Sequence, residues 1–224
     1  MLVGDGINPL FVTGTTASDP SANRGITLIG LSARNGSATS PGSEVIRLWT
    51  AYNFSLIDCA FSRYQGAGNS SSGANPLPAA VSIYNSANGT IRDCYISASQ
   101  GPWGVGVYAA SNVLNCQNSV ITGGSAGGAV DIAGCAIVRF NGCTIQSSLL
   151  GFRVCGTGGQ CIGVNLDDNY MEAVGTPYDI GRTNLVKGLS IQRGHIENAN
   201  VVKALDTTEE NIFILGSVQG WKRV

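Results

Sequence analysis

The stretch "SLIDCAFS" at 55–62 returns as "TIRDCYIS" at 90–97, with Asp-Cys at its centre and apolar residues on either side. A phrase recurring at this interval constrains the fold more than any local propensity, because each copy must be one small unit packed on its neighbours. Aligned on Cys59 and Cys94, the phrase has an apolar residue at −3, a small or turn-forming residue at −1, the anchor, and an apolar residue at +2. It recurs in "CQNSVIT", "FNGCTIQ", "LDDNYME", "IQRGHIE" and "FILGSVQ", and more weakly in "ITLIGLS". The anchors are Ile29, Cys59, Cys94, Ser119, Cys143, Asn169, Gly194 and Gly216, with steps of 30, 35, 25, 24, 26, 25 and 22 residues.

Each copy has a second strand upstream, spelled apolar-x-apolar: "LFV" 10–12, "IRL" 46–48, "VSI" 81–83, "VGV" 105–107, "VDI" 130–132, "FRV" 152–154, "YDI" 178–180 and, less clearly, "VKA" 202–204. Alternation at period two turns the flanking residues inward and the middle one outward. The +3 column reads Ser32, Ser62, Ser97, Thr122, Gln146, Glu172, Glu197 and Gln219, polar in every copy as an outward position should be. At −1 stand Asp58, Asp93, Asn118, Gly142 and Asp168, which tolerate the left-handed conformation of a sharp corner. An upstream strand, a turn, a short strand, a one-residue corner and another short strand make one coil. The predicted fold is all-β, a single-stranded right-handed parallel β-helix of about eight coils, with residues 1–224 as one domain. Its coils stack at about 4.8 Å.

Composition narrows the function classes. Charged residues make up 12% of the chain and the formal net charge is −1, so no basic field exists to hold a phosphate backbone, and nucleic acid is not an expected partner. There is no run of about 18 apolar residues, and "MLVGDGINPL" lacks a basic segment leading into an apolar one. A soluble chain without signal peptide or membrane insertion is expected. The anchors Cys59, Cys94 and Cys143 read as small hydrophobes in one inward column. Repeat-length spacings and a single histidine predict no metal and no cofactor. Cys155 and Cys161 flank the Gly-rich turn of "CGTGGQC"; with seven cysteines and no export signal they are expected to be thiols rather than a disulfide.

The Cys/Asn/Ser/Gly-rich repeat, a loop such as "RYQGAGNSSSGANPLPAA" at 63–80 and the opening "GDGINPLFVTG" resemble the pectate-lyase-like β-helix proteins, most of all the central domains of bacteriophage tailspikes. The resemblance covers essentially the whole chain and is architectural, carrying over no catalytic motif. It implies binding or cleavage of bacterial surface polysaccharide, capsule or O-antigen, by a homotrimer on a virion tail. No attachment or trimerising module is recognisable, so the chain reads as part of a longer tailspike-like protein.

The fold hosts lyases, hydrolases, esterases and inert adhesins, so function is read from the faces. On the upstream face the outward column is Arg47, Ser82, Gly106, Asp131, Arg153, Asp179 and Lys203, and two residues on stand Trp49, Tyr84 and Tyr108. Aromatic faces suit the C–H edges of sugar rings, and charges suit hydroxyls and uronic carboxylates. The plain alternative is a stabilising ladder of cross-strand pairs, each contributing about 0.2–1 kcal/mol. On the downstream strands Tyr170 lies beside Glu172 and, one coil later, His195 beside Glu197. Carboxylates about 4.8 Å apart at the backbone repel, which raises one pKa and suits it to general acid work. That spacing fits a retaining glycosidase, about 5–5.5 Å between carboxylates, whereas Asp131 and Asp179, two coils or about 9.6 Å apart, lie near the inverting range of about 6.5–9.5 Å. Arg153 between the two aspartates should hold both ionised. The alternative for the Glu cluster is a solvated face or a subunit contact. Two functions stand open: a polysaccharide hydrolase or lyase using paired carboxylates, and a non-catalytic receptor-binding or structural β-helix.

Overall fold

The computed structural model describes residues 1–4, 9–13, 23–36, 44–63, 79–98, 103–124, 127–155, 159–181, 186–197 and 213–215. Among them are strands and turns and no helix. Three parallel ladders run side by side. The upstream ladder joins Phe11–Thr13, Ile46–Trp49, Ala79–Tyr84, Trp103–Tyr108 and Gly128–Ala133, and continues on the second halves of two long strands, Thr144–Val154 and Tyr170–Ile180. The middle ladder is built on Ala87–Arg92, Asn112–Gln117, Ala136–Asn141 and Cys161–Asp167, with shorter strands at both ends. The downstream ladder joins Ser32–Asn35, Ala60–Arg63, Tyr95–Ala98, Val120–Thr122, the first halves of the two long strands, and His195–Glu197. The chain visits upstream, middle and downstream ladders in turn, which makes a right-handed parallel β-solenoid.

Local chemistry explains the path. The expected corner before each anchor is left-handed throughout: Asp58 at φ 51°, Asp93 at 55°, Asn118 at 47°, Gly142 at 61° and Asp168 at 53°. Two further left-handed columns turn each coil. One runs through Asn53, Asn88, Val113, Ile137 and Gly163, the other through Thr50, Asn85, Ala109 and Gly134, while the next coil turns one position earlier, at Cys155 opposite Ala133. Side chains satisfy the amides that the corners turn away from the ladders. The Cys94 amide donates to Ser119 Oγ at 3.1 Å, and the Cys143 amide donates to Asn169 Oδ1 at 3.0 Å. Asn169 Nδ2 in turn donates to the Phe140 carbonyl at 3.0 Å. Buried backbone polar groups need such partners, so the column of Cys, Ser and Asn is polar bookkeeping as well as packing. Cys59, Cys94 and Cys143 all lie buried in it, as expected.

The register corrects the reading in three places. About five turns are formed, not eight. The last anchor, Gly216, lies outside the described residues together with Lys203 and the strand at 202–204. The first copy is also shifted. Ile29 faces Ile57 and is 68% exposed, while the pairing of Ser32 with Ala60 sets Leu31 opposite Cys59. The corner in this copy is Gly30, at φ 64°, and the first upstream triplet is Phe11–Thr13 with Val12 opposite Arg47. Finally, Cys155 and Cys161 form a disulfide, with Cα atoms 6.0 Å apart, both buried. Cys155 is itself a left-handed corner residue at φ 56°, and both cysteines face the core. Compartment-based reasoning weighs seven cysteines without this geometry.

Candidate functional site

The upstream face carries the expected column in register: Arg47, Ser82, Gly106, Asp131, Arg153 and Asp179 are successive Cα partners. Trp49, Tyr84 and Tyr108 are likewise successive Cα partners, Trp49 edge-on to Tyr84 and Tyr84 tilted against Tyr108, with centroids 5.5 and 5.2 Å apart. Most of this strip is sealed. Tyr108 is 2% exposed, Asp131 0% and Asp179 3%. Glycine makes room for the rings: a Cβ at Gly106 would stand 2.3 Å from the Tyr108 ring, and one at Gly128 would stand 2.2 Å from Trp103. Arg153 donates to Asp131 through Nε at 2.8 Å and Nη2 at 2.7 Å, and its guanidinium lies 4.3 Å from the Trp103 ring centre. Arg47 is engaged in the same way by Glu44, at 3.0 and 2.7 Å. Burial pushes the Tyr108 hydroxyl well above its usual pKa, and the Asp131 charge pushes it further. Burial alone would lower Arg153, but the hydrogen bonds and charge of Asp131 more than offset it and the net shift is upward. The result is a second packed layer on the outside of the sheet, ionic and aromatic. Trp103, not singled out from the sequence, is its centre.

The downstream face is open. Tyr170 and His195 are Cα partners whose rings stack at 5.5 Å with 1° between planes. Glu172 and Glu197 are also Cα partners, and each carboxylate accepts from a neutral donor on the preceding coil. Gln146 Nε2 donates to Glu172 at 3.2 Å, and the Tyr170 hydroxyl donates to Glu197. Holding that hydroxyl proton against a carboxylate lifts Tyr170 to about 12. Next to this cluster lies an open groove of about 600 Å³, bordered by Tyr95, Ser97, Thr122, Gln146, Ser148 and Leu149. Ser97, Thr122 and Gln146 arrive one per coil from the polar +3 column, which runs on into Glu172. The two long strands bend at Ser147 and Ala173, both left-handed at φ 49° and 53°, and cross directly from the downstream to the upstream ladder. Tyr95, at 47% exposure, offers a ring at one end. The sequence reading singled out only Glu172 and Glu197 in this column as site candidates and passed over Ser97, Thr122 and Gln146, because a polar column looks like any solvated face. Among the described residues no three His, Cys, Asp or Glu side chains gather as metal ligands.

No protein-family model matches the chain, and no curated protein matches its sequence. Solved structures do match in shape. One is the endo-xylogalacturonan hydrolase from Aspergillus tubingensis, with TM-score 0.57 and 15% identity over 94% of this chain and 61% of that one. Another is PfbA, a surface adhesin of Streptococcus pneumoniae, with TM-score 0.50 and 13% identity over 95% of this chain and 67% of that one. What they share with this chain is the fold. At these identities chemistry does not transfer, and the chain spans only 61% of the hydrolase's length.

Proposed function

We propose that this chain is a β-helix domain that binds bacterial surface polysaccharide in the groove of its downstream face. The observation that carries the reading is the groove itself, open, about 600 Å³, with one polar side chain delivered per coil and an exposed tyrosine at its end. An extended polymer needs contacts repeated along a line, which a parallel solenoid supplies at about 4.8 Å intervals. Tyrosine rings stack on the C–H faces of sugars, while hydroxyl and amide groups read their oxygens. The same scaffold serves a hydrolase named for a polysaccharide and a surface adhesin, which supports an outer face used for contact. The tailspike resemblance adds the proposal of a homotrimer at a virion tail.

Tyr95→Ala tests the reading. Binding of surface-polysaccharide fragments should weaken by roughly tenfold, equivalent to about 1.4 kcal/mol, while the melting temperature holds, since the ring is half in solvent. Unchanged affinity would remove the groove from consideration. Reducing-end release by the same preparation decides between depolymerase and adhesin: cleavage that disappears in both Glu172→Gln and Glu197→Gln supports hydrolysis, and no release from any fragment that binds supports adhesion.

A further inference from the structure

We infer that the polysaccharide held in this groove is neutral, a polymer of hexose or N-acetylhexosamine units, and that the face disfavours uronate-bearing chains. The inference rests on the groove reading above and adds the substrate class.

Among the described residues, every side chain bordering the groove is uncharged. Hydroxyl and amide groups answer sugar hydroxyls and acetamido groups, but among the described residues bordering the groove no guanidinium or ammonium meets a carboxylate. A carboxylate brought against such a surface loses water without gaining a charged partner. The nearest charge has the wrong sign for an acidic chain: Gln146, a groove residue, is hydrogen-bonded to Glu172, and Glu197 follows one coil on. The cation on the same column is Arg34, which pairs with Ser62, itself the partner of Ser97. Two coils, about 9.6 Å of backbone, separate Arg34 from the groove residue Ser97. Arg47, Arg153 and Arg193 are each committed to a carboxylate elsewhere, on Glu44, Asp131 and Asp167. Leu149, half exposed at the rim, adds an apolar contact of the kind that a methyl of an acetamido group fills.

The test is binding of a neutral panel (a glucan, a mannan and an N-acetylhexosamine polymer) and an acidic panel (polygalacturonate and alginate) to wild type, Thr122→Trp and the Glu172→Gln/Glu197→Gln double variant. Thr122 borders the groove and is only partly buried, and the folding of Thr122→Trp is checked by melting. Wild type should bind a neutral polymer at least roughly tenfold more tightly than either acidic one. Thr122→Trp should abolish that binding. The double Gln variant should narrow the gap between the panels, most strongly at low salt. An acidic polymer bound best and blocked by Thr122→Trp would overturn neutrality and leave the groove standing. Neutral binding that Thr122→Trp does not touch, or binding to neither panel, would overturn the groove reading and this inference with it.

Discussion

Ile137 stands at φ 54°, in a column whose other members include Asn53, Asn88 and Gly163. A β-branched residue in this region is strained by roughly 1–2 kcal/mol, and its 41% exposure means that little packing depends on it. Ile137→Asn should therefore raise the stability by about 0.5–1 kcal/mol, read from a denaturant midpoint at constant slope; a drop of that size would show that the side chain contributes more than the backbone strain costs. The corner before each anchor was legible because Asp, Asn and Gly announce it. The columns holding Val113, Ile137 and Ala109 were not, since in a stack the coils above and below impose a backbone that the local residue does not favour. In the anchor column Cys94→Ser should be mild, because Ser119 already fills the next position, whereas Cys94→Asp puts a charge among apolar neighbours and should lose about 3 kcal/mol or more. Equal melting temperatures for the two variants would contradict the inward placement.

Among the elements, the Cys155–Cys161 turn and the upstream sheet depart most from what the residues suggested. A disulfide closing so short a loop contributes about 2 kcal/mol by chain entropy, so Cys155→Ser/Cys161→Ser should lower stability by that amount in oxidised protein and by little in reduced protein. Free-thiol titration that finds all seven cysteines reactive after unfolding would disprove the bond. On the upstream sheet the alternation of Val130, Asp131 and Ile132 correctly turned Asp131 away from the core. It gave no hint of the layer packed over that side, because Trp103, Tyr108 and Arg153 come together through glycine gaps on neighbouring coils rather than through any period in the chain. Asp131→Ala should cost about 3 kcal/mol by stranding the Arg153 guanidinium. A variant as stable as wild type would mean that the ion pair contributes little to holding this layer.

For the molecule as a whole, period and polarity were enough to establish the parallel solenoid, yet the number of turns was overestimated. The first copy is shifted: Leu31 takes the place opposite Cys59 and leaves Ile29 exposed, and the last anchor lies outside the described residues. Trp49, Tyr84 and Tyr108 form the aromatic ladder that their spacing implied, and the groove proposed as the site lies on the other face, beside Tyr95, Thr122 and Gln146. Calorimetric titration of a neutral surface-polysaccharide fragment into wild type, Thr122→Trp and Trp49→Ala compares the two faces directly. The downstream groove predicts loss of at least roughly tenfold in affinity for Thr122→Trp and near-native affinity for folded Trp49→Ala. Native affinity in Thr122→Trp with binding lost in Trp49→Ala would return the site to the upstream face and contradict the account.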